Sequence, residues 1–259
     1  MKLVIETERI SIKIIIISIA IASLLQWLVY GLLNRANLGS TAECFALAEV
    51  FVVLLVAPYL AASNMVADNQ TPPSPQKFLL RLIPTANPLF KRLFIALIPL
   101  LCWGCLSTGF ALIVTEVTIG KSLAMIVVLT LYSISAGAVG MWGARVLKDA
   151  FYGTEFAYFL WGVLLGSAFI LKPLARYIDN IQPMVQPILH LNPLIAVCNI
   201  FDGWDIFRNP LFYELTPITY FVYSYPPWYV SCFWQLVIGG CCFLWTWQMY
   251  RSSNFVVID

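Results

Sequence analysis

Apolar residues in this chain gather in long runs separated by shorter polar stretches. The first run, Ile14 to Leu33, reads IIIISIAIASLLQWLVYGLL and follows Lys2, Arg9 and Lys13. A hydrocarbon core about 30 Å thick accommodates a helix of about 20 residues, so this run predicts a spanning helix. A cleaved leader has an apolar stretch of only about 7–15 residues, so the run is expected to be a retained first span. Further runs predict spans over 44–62, 93–114, 123–142, 156–171 and 228–250. The fifth is short for a bilayer and is expected to begin earlier or to lie obliquely. The sixth carries aromatics at both ends, where amphipathic rings favour the headgroup level.

Two connections stand out. Residues 63–92 hold Pro72, Pro73, Pro75, Pro84 and Pro88 together with Lys77, Arg81, Lys91 and Arg92. Prolines at that density break long helices, which predicts a loop with one short helix, Gln76 to Ile83. The second connection, 172–227, contains IQPMVQPILHLNPLIAVCNIF, which is apolar and punctuated by proline into pieces too short to span. Such segments are re-entrant or interfacial. Irregular backbone at membrane depth is tolerated only where protein or a water-filled cavity covers it, so this segment is expected to pack on the bundle. The expected fold is a single all-α polytopic transmembrane domain over 1–259, with six transmembrane helices and a re-entrant helical segment before the sixth.

Composition agrees with that class. Of 259 residues, 61% are hydrophobic and 11% charged, against roughly 25% charged in average globular chains. Fifteen basic residues against thirteen acidic ones exclude the strongly basic surface of a nucleic-acid binder. Seven cysteines, mostly inside apolar runs, imply no disulfide framework. A single histidine, His190, excludes two-histidine haem ligation within the chain and histidine-rich metal sites.

Orientation follows from the placement of Lys and Arg. With the N-terminus inside, the inner side holds Lys2, Arg9, Lys13, Lys77, Arg81, Lys91, Arg92, Arg145, Lys148 and Arg251, ten in all. The outer side holds five: Arg35, Lys121, Lys172, Arg176 and Arg208. The positive-inside rule then predicts that both termini are cytoplasmic.

Candidate chemistry is sparse. The chain lacks GxSxG, HExxH and a Walker glycine loop, so it is expected to have no catalytic site, no cofactor and no metal of its own. Any ATP-driven process would draw on a separate polypeptide. Cys102 and Cys105 have redox spacing but lie inside the third run, where a thiolate is disfavoured, and are expected to pack as small apolar residues, as are Cys241 and Cys242. His190 is expected to be a structural, hydrogen-bonded histidine. Glu49 falls inside the second run, about 9 Å along a helix from Glu43. An ionisable group at depth is a functional candidate by default; the competing expectation is a carboxyl facing the bundle or the outer interface beside a polar partner. Gly162 and Gly166, and the series Ser133, Gly137, Gly140 and Ala144, are spaced for close helix approach, expected within the chain.

Several strings together resemble the permease subunit of type-2 ABC transporters. VAPYLAASNMVAD (56–68) is similar to the end of that family's second span, where an Ala-Pro segment leads into the cytoplasmic coupling loop. GARVLKDAFYGTEFAYFLWG (143–162) is similar to the turn between its fourth and fifth spans, and LHLNPLIAV (189–197) to the Leu-Asn-Pro-Leu element of its outer segment. Here Asp68 is followed by Asn69-Gln70-Thr71-Pro72-Pro73, without the Gly-Thr step of the family pattern. The resemblance implies a half-transporter, an exporter by the commoner direction, in the bacterial cytoplasmic membrane. Its implied partners are an ATP-binding ABC subunit, a second permease chain and membrane lipids, with no nucleic acid. Asp68, Lys77 and Arg81 are implied in ATPase coupling, assisted by Arg145, Lys148 and Asp149, and His190, Asn192 and Pro193 fall in the implied outer cap. Two alternatives stand beside it: a non-transporting subunit that keeps the permease fold, and an intramembrane enzyme or electron-transfer subunit.

Overall fold

A computed structural model of the chain describes residues 2–66 and 88–255, apart from 179, 203, 214 and 222, with side chains omitted for 2–14, 211 and 253–255. The described residues are helical, without strands, and six helices are long and apolar enough to cross a membrane. The protein is an integral membrane protein. Its spanning helices are α1 (Lys2–Arg35, apolar from Ile15), α2 (Thr41–Val66), α3 (Pro88–Val114), α4 (Ile119–Leu147), α5 (Ala150–Leu174) and α9 (Trp228–Phe255). Between α5 and α9 lie α6 (Gln182–Leu191), α7 (Ile195–Ile200) and α8 (Pro210–Tyr213), with short 3-10 turns at Ile206–Arg208 and Pro217–Tyr220.

The helix ends follow from capping chemistry. Ser40 and Glu43 form a capping box on α2: Ser40 N–H donates to Glu43 Oε2 at 2.6 Å, and Glu43 N–H donates to Ser40 Oγ at 3.4 Å. Asn37 ends the preceding turn at φ 48°, a left-handed conformation that Asn tolerates. Between α4 and α5 the turn has two residues. Lys148 is the left-handed C-cap at φ 57°, and the Asp149 carboxylate accepts from Phe151 N–H at 2.7 Å and Tyr152 N–H at 3.1 Å. Because Asp149 caps it, α5 begins well before residue 156 and runs through Lys172-Pro173, making 25 residues. It is not short.

The core is built on α2 and α4. Of the most apolar stretch of α2, 72% is buried, against 61% for α4 and 11% for α1. α4 packs on α2, α3, α5 and α9, whereas α1 packs mainly on α2 and α3. Gly140 lets α4 approach the proline of α2 so closely that a Cβ there would lie 2.5 Å from Pro58 O. Gly153 of α5 is pressed in the same way against the α4 backbone at Gly143 and Ala144. Gly162 and Gly166 differ from the expectation, since a Cβ at either would meet nothing within 4 Å of this chain. They face outward because the buried face of α5 is the one carrying Ala157, Trp161, Ala168 and Leu171.

One end of the bundle carries the α1–α2 and α3–α4 turns and the segment between α5 and α9; it is termed here the cap end. The last turns of α2, α4 and α9 meet at the other end, where Met65, Val66, Arg145, Lys148 and Met249 line a cavity of about 540 Å³. Replacing Gly140 with Val must push α2 and α4 apart. The expected cost is about 2–3 kcal/mol of stability, read as a lower melting temperature of the detergent-solubilised protein, with Gly162→Val as the near-neutral control.

Candidate functional site

Two polar arrangements interrupt the apolar bundle. The first surrounds Glu49, which is 1% exposed and lies about 12 Å along α2 from Thr41. Ser107 Oγ of α3 donates to Glu49 Oε1 at 2.6 Å, and Thr108 Oγ1 approaches the same oxygen at 3.4 Å. Gln26 of α1 reaches Ser107 in turn, with Nε2 at 2.7 Å and Oε1 at 2.9 Å from Ser107 Oγ. Ser107, Thr108 and Gln26 are all buried. Four aromatic rings roof the cluster towards the cap end. Phe45 lies 6.3 Å from Trp27, 5.9 Å from Tyr30 and 6.2 Å from Phe110 between ring centroids. Thus Glu49 faces the bundle, and three helices contribute to its surroundings.

The second arrangement holds the segment between α5 and α9. Three consecutive residues, Leu191, Asn192 and Pro193, are each tied to a different spanning helix. Leu191 O accepts from Gln235 Nε2 of α9 at 2.8 Å, and Asn192 Nδ2 donates to Leu165 O of α5 at 3.1 Å. Pro193 O accepts from Tyr132 Oη–H of α4 at 3.0 Å. Asn192 Oδ1 also accepts from Leu194 N–H at 3.0 Å, closing the turn between α6 and α7. At 1.5 Å per residue, these anchors lie about 10 Å (Gln235), 14 Å (Leu165) and 20 Å (Tyr132) along their helices from the cap end. The flanking helices bury Val185, Leu189 and Ile195 through Cys198 against the bundle. The segment therefore packs on the spanning helices.

Above that turn, a clasp closes the rest of the connection. Asp205 accepts from Tyr223 Oη–H at 2.7 Å and Tyr225 Oη–H at 2.5 Å, and pairs with Arg208 Nε at 3.1 Å. Burial, with the adjacent carboxylate adding to it, pushes both phenols above their ordinary range, so they remain donors at neutral pH. Nearby, Lys121 Nζ pairs with Asp202 Oδ2 at 2.6 Å, tying the start of α4 to the end of α7.

The remaining residues singled out from sequence separate into distinct places. His190 is half-buried, and its Nε2 lies 3.2 Å from Gln186 Nε2, whose amide also donates to Ser224 O at 3.3 Å. Asn192 and Pro193 sit at the centre of the second arrangement. Arg145 and Lys148 line the cavity at the opposite end, and Lys148 and Asp149 form the α4–α5 turn. Asp68, Lys77 and Arg81, with the short helix expected over 76–83, lie outside the described residues. Gln26, Ser107, Thr108, Tyr132 and Gln235 were not singled out. Gln26 had a signal, being an isolated amide in an apolar run; so did the adjacent hydroxyls Ser107 and Thr108. Among the described residues, no group of three or more His, Cys, Asp or Glu side chains could hold a metal ion.

No protein-family model, curated protein or solved structure matches this chain.

The turn at 191–193 makes a graded prediction. Tyr132→Phe deletes one donor and should cost about 1 kcal/mol, whereas Asn192→Ala deletes two bonds and leaves Leu194 N–H without its turn partner, costing about 2 kcal/mol. Thermal melts of the two variants in detergent check both the sign and the order.

Proposed function

We propose that this chain is the membrane-spanning permease subunit of an ATP-driven transporter of the type-2 ABC class, working with a separate ATPase. The observation that carries this is the turn at Leu191, Asn192 and Pro193, inserted among α4, α5 and α9. A proline-broken helical pair held that deep closes the cap end of a bundle, as the outer segment of a permease must. The turn also falls within the string LHLNPLIAV, on which the resemblance partly rests.

In this role the cap end faces outward as a re-entrant segment, and both termini are cytoplasmic, in the sense set by the ten-to-five excess of Lys and Arg. The membrane is the bacterial cytoplasmic membrane, and a second permease chain completes the path. The loop containing Asp68, Lys77 and Arg81 meets the ATPase. Arg145 and Lys148 meet it beside that loop, because they lie where α2 ends. Asp149 contributes by holding the α4–α5 turn in shape. ATP then drives the path from one side to the other only to the extent that it binds the two arrangements with different affinity. Export is the direction proposed.

A second role has specific support. The Gly-Thr step after Asp68 is missing, and Asp149 is committed to a helix cap. Both suit a structural subunit that keeps the fold within a larger assembly and transports nothing.

Purification from the native source in mild detergent separates the two. The transporter predicts a stoichiometric ATPase subunit, with Asp68→Ala and Arg81→Ala each weakening its retention by about thirtyfold or more, the scale for losing one partner of a buried charged contact. Stoichiometric partners lacking any nucleotide-binding subunit would leave the structural role.

A further inference from the structure

The Glu49 cluster has a property independent of any ATPase. Ser107 has one hydroxyl proton and two lone pairs, so it can donate to one neighbour while accepting from another. Both of its neighbours suit either direction. Gln26 presents a donor, Nε2, at 2.7 Å and an acceptor, Oε1, at 2.9 Å, while Glu49 Oε1 lies at 2.6 Å. With a neutral carboxyl, Glu49 donates to Ser107 and Ser107 donates to Gln26 Oε1. With a carboxylate, Gln26 Nε2 donates to Ser107 and Ser107 donates to Glu49. The same heavy-atom positions therefore serve both protonation states, with the two bonds through Ser107 reversed.

The charge balance of the two states differs. On α2 itself, Glu43 closes the capping box with Ser40, Cys44 bonds Gly39 O, and Tyr59 is exposed. Tyr30 of α1 packs edge-on to Phe45, and Cys102 and Cys105 of α3 are exposed. Lys121 of α4 pairs with Asp202, Tyr132 of α4 donates to Pro193 O, Tyr158 of α5 donates to Leu55 O, and Cys198 of α7 is buried. Arg35, Lys91, Arg92, Arg145 and Lys172 lie within five residues of their helix ends, and Glu155 is exposed in the second turn of α5. None of these groups bonds or pairs with the Glu49 carboxyl. A carboxylate here is thus a charge at membrane depth with hydroxyl donors but, among the described residues, no cation bonded to it, which is costly.

The helix that feels this is α1. Among its described side chains only Ala22 and Gln26 are buried, one helical turn apart, and Gln26 is the one bonded to the cluster. We propose that Glu49 is a proton-binding site that latches α1 onto α2 and α3. In the latched state the carboxyl is neutral. Release of its proton to water leaves the carboxylate, reverses the chain through Ser107 and loosens α1, because water reaching the charge must part α1 from its neighbours.

Hydrogen–deuterium exchange tests this on the full chain with its native partners in lipid nanodiscs. The readout is exchange over 15–35 of α1 divided by exchange over α4, which cancels the intrinsic effect of pH. The ratio is expected to rise with pH in the wild type and to stay at its low-pH value in Glu49→Gln, whose amide imitates the neutral acid. Ser107→Ala, which keeps Glu49 but cuts the link to Gln26, is expected to show a high ratio at every pH. A wild-type ratio independent of pH overturns the proposal, as does a Glu49→Gln ratio that follows the wild type. A Ser107→Ala protein with wild-type behaviour overturns it too, and that variant decides the matter should Glu49→Gln fail to fold.

Discussion

Within hydrocarbon there is no water to accept or donate a hydrogen bond, so each peptide group that leaves a regular helix must find a partner inside the protein. Pro58 cannot donate to Leu54 O and opens its turn of α2; the adjoining Leu55 O takes a hydrogen bond from Tyr158 Oη at 2.7 Å. The turn at 191–193 breaks two helices at once and receives an amide and a phenol from α9 and α4, while its own Asn192 binds α5. Thr216 Oγ1 donates to Ala168 O at 2.8 Å, fastening the far end of the same connection to α5. Each of these three irregularities sits opposite a hydroxyl or amide of another segment. Moving the irregularity without its partner would leave a peptide group stranded.

That requirement sorts the helices into a fixed centre and a looser margin. α2 and α4 touch backbone to backbone at Pro58 and Gly140, and α5 joins them through Gly153. Around that centre the packing is dense, and the cap turn is bonded to α4, α5 and α9. By contrast, α1 lies against α2 and α3 with most of its surface outward, Leu24 and Trp27 among it. Its buried polar contact is the one through Gln26. A peripheral helix held, among its described side chains, by a single buried polar chain is the part of such a bundle most able to respond to a local change of charge.

The number and order of spanning helices could be read from the chain because an uncharged run of about 20 residues has few other physical solutions. Helix ends were harder. Asp149 stands among charged residues of a turn, and only its bonds to Phe151 and Tyr152 reveal that α5 starts there. At the candidate site the acid and the isolated polar residues Gln26, Ser107 and Thr108 were visible, but their association was not. Glu49 lies 58 positions from Ser107, and Ser107 lies 81 from Gln26, so their meeting is a product of packing. Asn192 and Pro193 stood out as a short motif, yet nothing in the sequence joins them to the residues that hold their turn, Tyr132 and Gln235, although Gln235 is, like Gln26, an isolated amide in an apolar run.

The two-residue turn between α4 and α5 has a mechanical consequence. A left-handed Lys148 followed at once by a capping Asp149 leaves no slack, and the Gly143–Gly153 contact braces the hairpin just behind it. α4 and α5 therefore tilt together or not at all. About 24 Å of α4 separates Lys148 from Tyr132. There the hairpin grips the cap turn from two sides, through Tyr132 on Pro193 O and Leu165 O on Asn192. A force applied to that turn is delivered to the cap turn, about 24 Å away, along two continuous helices that act as one stiff lever.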